Sequence, residues 1–188
     1  RVILPSFLTL VLFLIAIFVL IIPAFEKKIL DDKKQMIRAL TDSAWSILNK
    51  AEENVKQGKL SFQQARSEVA DRIKLMRYGP ERKDYFWISD MEPQMIMHPY
   101  RPELNGKSLA DYSDPTGEKI FVKFIKAVEN QDDAFVYYMW QWKDKKEKVV
   151  PKLSYVKKFE PWGWIIGTGV YVEDVKQEID RMKARLIV

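Results

Sequence analysis

The apolar positions fall into three successive rhythms along the chain. Val2 to Ile22, "VILPSFLTLVLFLIAIFVLII", is uncharged throughout and has about the length an α-helix needs to cross a hydrocarbon core roughly 30 Å thick. A secretory leader would have a shorter apolar region of roughly 7–15 residues and a small-residue cleavage site, and a core helix would keep a polar stripe. The pattern therefore predicts a membrane helix over residues 2–23, with Pro5 tolerated in its first turn and Pro23 marking its far end. Beyond it the period becomes helical. Ile29, Met36, Ile37, Leu40, Ala44, Ile47, Leu48, Ala51 and Val55 share one face of a long helix that stops at Gly58. Ser61 and Gln64 form a capping box that opens a second helix, with Phe62, Ala65, Val69, Ile73 and Met76 inward. These two helices account for residues 24–83.

From residue 84 to 172 the chain turns to short aromatic-rich runs: "YFWISD", "QMIMHPY", "AFVYYMWQW", "PKLSYVKKF" and "WGWIIGTGVYV". Five such runs predict a five-stranded sheet. "DMEP" between the first two favours an antiparallel hairpin, and "EPWG" suits a type I turn joining the last two. Between the second and third lie a turn, "DYSDPTGEK", and a short helix bearing Ile120, Phe121, Phe124, Ile125 and Val128. Gly167 and Gly169 fall on one face of the last strand, where they admit a ligand, a backbone or a closely packed helix. Residues 173–188 carry Val175, Ile179, Met182 and Leu186 at helical spacing and end wholly apolar, as a helix leading into a second membrane span would. The expected class is α+β: an antiparallel sheet with a long N-terminal helix, flanked by transmembrane helices in a lipid bilayer. The long stripe exceeds what one small sheet needs to cover, so a parallel homodimer through that helix is also expected.

Composition narrows the chemistry. The 188 residues carry 31 Lys and Arg against 26 Asp and Glu, a net charge of +5 that is interspersed except in "WKDKKEK" and "EKKILDDKK". Those runs read as solvated faces or turns, and no nucleic-acid surface is expected. With one histidine and no cysteine, a Cys–His nucleophile pair, a two-histidine metal site and a thiolate zinc site are excluded. His98 stands in "MHPY" with no nucleophile elbow elsewhere, and "GTG" is not a dinucleotide fingerprint. Asp111, Asp114 and Glu118 are hard-cation ligand types, but "DPTG" is ordinary turn chemistry. No enzyme activity, metal or cofactor is expected.

What remains is a set of polar tips among rings: Trp87, His98, Tyr138, Trp140, Lys152 and Tyr155. Lys152 opens "PKLSYV", an alternating strand in aromatic surroundings, where lost hydration needs compensation from water or from an anion. An ammonium suits a carboxylate, and hydroxyl or imidazole donors can add to it. Each ring taken singly fits ordinary core packing better than a ligand contact.

"YFWISD", "HPYRPELNGKSLADYSDPTGEK", "FVYYMWQW" and "PKLSYVKKFEPWGWIIGTGVYVEDV", in this order, resemble the extracytoplasmic single Cache domain of bacterial transmembrane receptors, particularly its second subfamily. The resemblance implies a PAS-like antiparallel sheet standing on the long helix, in a sensor of chemoreceptors or histidine kinases located in the bacterial inner membrane with the sensor periplasmic or extracellular. It implies a small organic acid as ligand, of the acetate, propionate, pyruvate or lactate class, and a signal passed through the terminal helix. Trp87, His98, Tyr138, Trp140, Lys152 and Tyr155 become candidate ligand contacts, although Lys152 and Tyr155 have opposite strand parity unless a bulge intervenes. The competing expectation is a ligand-free dimerisation or interaction module whose pocket is filled by its own side chains.

Overall fold

The computed structural model describes residues 7–8, 11–13 and 17–186. Much of the expected 2–23 membrane helix, and residues 187–188 of the second, lie outside them. Among the described residues no helix is long and apolar enough to cross a membrane.

Helix α1, Ile22–Lys56, continues directly from a π-helical turn at Ile17–Ile21, and Pro23, which has no N–H to give, stands where the two meet. At 35 residues it is roughly 50 Å long. Gly58, with φ of 69°, ends it in the left-handed conformation that an L side chain resists. Helix α2, Phe62–Leu75, begins at the predicted capping box: Gln64 N–H donates to Ser61 Oγ, and Ser61 N–H donates to Gln64 Oε1. Ala65, Val69 and Ile73 are buried, whereas Phe62 is half exposed and packs edge-on to Trp162.

The sheet holds the five expected strands, β2 (Asp84–Asp90), β3 (Met95–Met97), β4 (Asp133–Trp142), β5 (Lys145–Phe159) and β6 (Trp164–Tyr171), plus a two-residue β1 at Arg77–Tyr78. The order is β1-β2-β6-β5-β4, all antiparallel, with β3 sharing the β1 side of β2. Central β6 is buried along its whole length, as its unbroken "WIIGTGVY" requires. The basic run "WKDKKEK" forms a largely solvated turn and hairpin arm, as expected, with Asp144 to Glu147 exposed and Lys143 buried. Lys143, at φ of 55°, and Asp144 make the turn, and pairing resumes with Trp142 opposite Lys145.

Each face has its own core. On one, Ala44, Leu48 and Ala51 of α1 and Ala65, Val69 and Ile73 of α2 pack against Phe86, Ile88, Phe159, Trp164 and Ile166. Further along α1, Ile37 joins Leu153, Tyr155, Val170 and Val175, the last from helix α4, Val172–Leu186. Within the chain, the sheet, α2 and α4 bury Ile37, Ala44, Leu48 and Ala51 of this stripe, while Ile29, Met36, Leu40, Ile47 and Val55 stay partly exposed. The opposite face is closed by helix α3, Ile120–Val128, and by the segment after β3.

Candidate ligand-binding site

Strand alternation decides which side chains reach the second face. Tyr85 and Trp87 of β2, Val136, Tyr138 and Trp140 of β4, and Val156 of β5 point there together. Lys152 lies opposite Tyr138 on one side and Tyr171 on the other, so it shares this face. The β5–β6 register runs from Lys152↔Tyr171 to Phe159↔Trp164 without a bulge. Tyr155, three residues on, must therefore face α1. There it packs on Phe135, with ring centroids 4.9 Å apart and the Arg38 guanidinium 5.1 Å from its own centroid. Of the six predicted contacts, the structure leaves Tyr155 apart from the other five.

Trp87, His98, Tyr138 and Trp140 meet Met95, Ile120, Phe121 and Phe124 around a cavity of about 10 Å³, near one water's worth of free space. All eight lining residues are buried. Gly167 allows the arrangement: a Cβ there would sit 2.5 Å from Trp87 Cζ2, so only glycine lets the indole lie across β6. Phe124 stacks on the other side of that indole, with centroids 4.7 Å apart and planes 27° apart.

The polar atoms of this wall are unevenly satisfied. Trp140 Nε1 donates to Tyr85 Oη at 2.8 Å, and Tyr138 Oη lies 2.9 Å from Ser154 Oγ. His98 Nδ1 accepts from the backbone N–H groups of Tyr100 (3.2 Å) and Arg101 (3.0 Å), which places the proton of the neutral ring on Nε2. Burial, aided by Lys152 and Arg101, holds the imidazole well below the ordinary 6.5, so it is neutral. Neither His98 Nε2 nor Trp87 Nε1 meets a partner in hydrogen-bond geometry among the described residues, although the Trp87 indole lies near enough to the Tyr138 phenol to favour its ionised form. Both are donors, and a buried donor left unmatched costs roughly 1–3 kcal/mol. Of the other buried atoms without a hydrogen bond among the described residues, Glu173 Oε2 is ion-paired with Lys148 Nζ at 3.0 Å, and Trp164 Nε1 lies in the opposite core.

Beside this wall, Lys152 is 1% exposed. Its Nζ lies 4.1 Å from the Tyr85 ring centroid and 5.0 Å from that of Tyr171, and it makes no ion pair or hydrogen bond among the described residues. Burial pushes its pKa down from 10.5 to about 7, against the pull of Asp84. A cation so placed, near donors without acceptors, lacks an anion.

The profile of the family described as Single Cache domain 2 matches residues 29–185. The chain belongs to that family. This Cache domain is 41% identical over 124 residues to the methyl-accepting chemotaxis protein McpP of Pseudomonas putida, covering 66% of the chain and 22% of McpP. It is 31% identical over 154 residues to the sensor histidine kinase MctS of Rhizobium johnstonii, covering 82% of the chain and 32% of MctS. The chain thus matches between about a fifth and a third of the length of these relatives. Among solved structures it resembles a "periplasmic sensor domain of chemotaxis protein" with a TM-score of 0.73 and 34% identity, covering 76% of this chain and 97% of that one. A second structure, described as the "structural basis for carboxylic acid recognition by a Cache chemosensory domain", gives a TM-score of 0.73 and 34% identity over 78% of this chain and 97% of that one. The chain is a sensor domain of the kind found in chemotaxis receptors and sensor kinases, with the expected α+β fold of an antiparallel sheet on a long N-terminal helix.

Sequence reasoning missed Tyr85, Met95, Ile120, Phe121 and Phe124 as parts of this site. Tyr85 shares the parity of Trp87 and was within reach of the alternation rule. The helix of Ile120, Phe121 and Phe124 was visible, but only tertiary packing shows which face it covers. The acidic cluster is no cation site: Asp114 Oδ1 accepts from Thr116 N–H, Thr116 Oγ1 and Glu118 N–H, Asp114 Oδ2 accepts from Met139 N–H, and Asp111 pairs with Lys119. A larger groove of about 610 Å³ runs between the start of α1 and α4. Its wall mixes apolar residues such as Leu30, Val175 and Ile179 with charged ones such as Glu26, Lys176 and Asp180, and it holds none of the unmatched buried donors.

Proposed function

We propose that this Cache domain binds a short monocarboxylate, of the acetate, propionate, pyruvate or lactate class, and passes the binding event to α4. The observation that carries the reading is the pair of unmatched donors, Trp87 Nε1–H and His98 Nε2–H, on one small cavity beside an unpaired lysine. A carboxylate supplies acceptors for both donors and the countercharge for Lys152. Carboxylic acid recognition by a structural neighbour at 34% identity supports the same chemistry. A ligand-free interaction module could satisfy the two donors with one buried water but would leave Lys152 without a countercharge.

Transmission has a short covalent and hydrogen-bonded route. Tyr171, whose ring flanks Lys152, ends β6 directly before α4. Its hydroxyl accepts from Lys143 N–H at 2.8 Å and donates to Gln141 O at 3.0 Å. Lys143 Nζ in turn reaches Asp174 in the first turn of α4 at 3.3 Å. A carboxylate that draws Lys152 away from the Tyr85 and Tyr171 rings biases this connection, and α4 carries the change toward the membrane. In the whole protein, the domain sits on the periplasmic side of a bacterial inner membrane and controls a chemotaxis or kinase output.

The test is a thermal-shift and calorimetric titration of the full chain in detergent with acetate, propionate, pyruvate and lactate, and with propionamide as the neutral control. An acid at a hundredfold its dissociation constant stabilises by about 2.7 kcal/mol, and the amide should not match it. No response to any acid, or an equal response to the amide, overturns the reading.

A further inference from the structure

The cavity is chemically two-sided. Its unmatched donors and its tyrosine hydroxyl come from the sheet and from the segment after β3, as Trp87, His98 and Tyr138. Helix α3 contributes Ile120, Phe121 and Phe124, which offer only hydrocarbon. A carboxylate held by the donors must therefore point its carbon chain at α3.

Phe124 stacks on Trp87 and meets Tyr138 edge-on at 4.9 Å, so it fixes the distance between the helix and the donor wall. Phe121 stands edge-on to Phe124 at 5.6 Å and to Trp140 at 5.9 Å, closing the space beside it. All five rings are buried, and the free volume left among them is only about 10 Å³. A well-packed wall of this kind discriminates by single methylenes, because each extra carbon must displace a ring or strain it.

We infer that Phe121 and Phe124 of α3 set the chain length of the acid, while the sheet sets only that it is an acid. This specificity role rests on the carboxylate reading above and extends it to two residues on a helix that supplies no polar contact. The helix is nine residues long and its N-cap residue, Lys119, makes no side-chain capping bond, so a change of side chain on it can be absorbed by a small shift of the helix.

The experiment is calorimetry on the full chain in detergent with straight-chain monocarboxylates of two to six carbons, for the parent and for Phe121→Leu, Phe124→Leu and Ile120→Val. The parent is expected to show a steep loss of affinity beyond its preferred length. Each variant should move that limit outward, with a relative gain on the order of fourfold for every methylene newly accommodated. Tyr138→Phe should lower affinity for all lengths alike without moving the limit. Circular dichroism melts accompany each variant, and the conservative Ile120→Val gives a readout even where a phenylalanine variant does not fold. If the parent binds acids but no folded variant on α3 moves the limit, the inference fails while the carboxylate reading stands. If the parent binds none of the acids, both fail together.

Discussion

Lys152 makes the stability of this domain depend on pH in a window where few proteins respond. Its pKa is about 7 in the fold against 10.5 when exposed, so between those values the unfolded chain holds a proton that the folded chain has released. Unfolded molecules bind more protons there, and stability must rise with pH, at up to about 1.4 kcal/mol per pH unit. Below pH 7 both states are charged and the whole burial penalty is present. Integrated over the window, the penalty is on the order of 5 kcal/mol, an upper figure because a folded domain can relax around the charge. Burial also raises the phenols of Tyr85, Tyr138 and Tyr171, and these reverse the slope above about pH 10, where the unfolded chain would lose their protons. The useful range is therefore pH 7 to 9.5. A bound carboxylate restores the charged lysine, so at pH 8 binding should take up about 0.9 proton per acid, and affinity should fall by up to tenfold per pH unit above 7. Thermal unfolding of the full chain at half-unit steps, followed by tryptophan fluorescence, reads the slope. Calorimetry in two buffers of different ionisation enthalpy reads the proton. A flat stability between pH 7 and 9, or the same slope in Lys152→Met, would refute the reasoning.

Lys152→Met should weaken acid binding by about ten- to hundredfold, the loss of roughly 1.5–3 kcal/mol of charge-assisted hydrogen bonding, and equilibrium titration checks it. Tyr155→Phe, on the opposite face, should leave affinity within twofold of the parent, and a tenfold loss would contradict the register described above. Gly167→Ala should abolish binding by pushing the Trp87 indole off β6, and should lower stability by roughly 1–3 kcal/mol, measured by the same melts. Gly169→Ala should be harsher, because its methyl group would overlap the Leu153 carbonyl and the Ser154 side chain, and backbone cannot swing aside.

Much of this architecture was legible in local pattern. The capping box at Ser61, the stop at Gly58 and the five aromatic strands each follow from rules that act over a few residues, and the resemblance of the strand motifs pointed to the same fold. Parity alone was enough to separate Lys152 from Tyr155, since without a bulge residues three apart on a strand face opposite ways. What local pattern does not contain is coverage. Burial of Ile37, Ala44, Leu48 and Ala51 on the α1 stripe draws on α2 and on Val175 of α4, contributions that come from distant segments. The "WKDKKEK" run is largely solvated as its charge predicts, but local pattern does not show that its Lys143 is buried and partnered with Glu81 and Asp174 across the fold. The same limit hid the hydrocarbon half of the site: nothing in "IFVKF" says which layer Phe121 and Phe124 will close.

The account turns on two N–H groups meeting one carboxylate. A crystal structure of the chain grown with propionate tests this most directly. The prediction places one carboxylate between sheet and α3, with oxygens 2.7–3.2 Å from Trp87 Nε1 and His98 Nε2 and the ethyl group against Phe121 and Phe124. Propionate bound elsewhere, or in this cavity with its ethyl group against the donors, would contradict it.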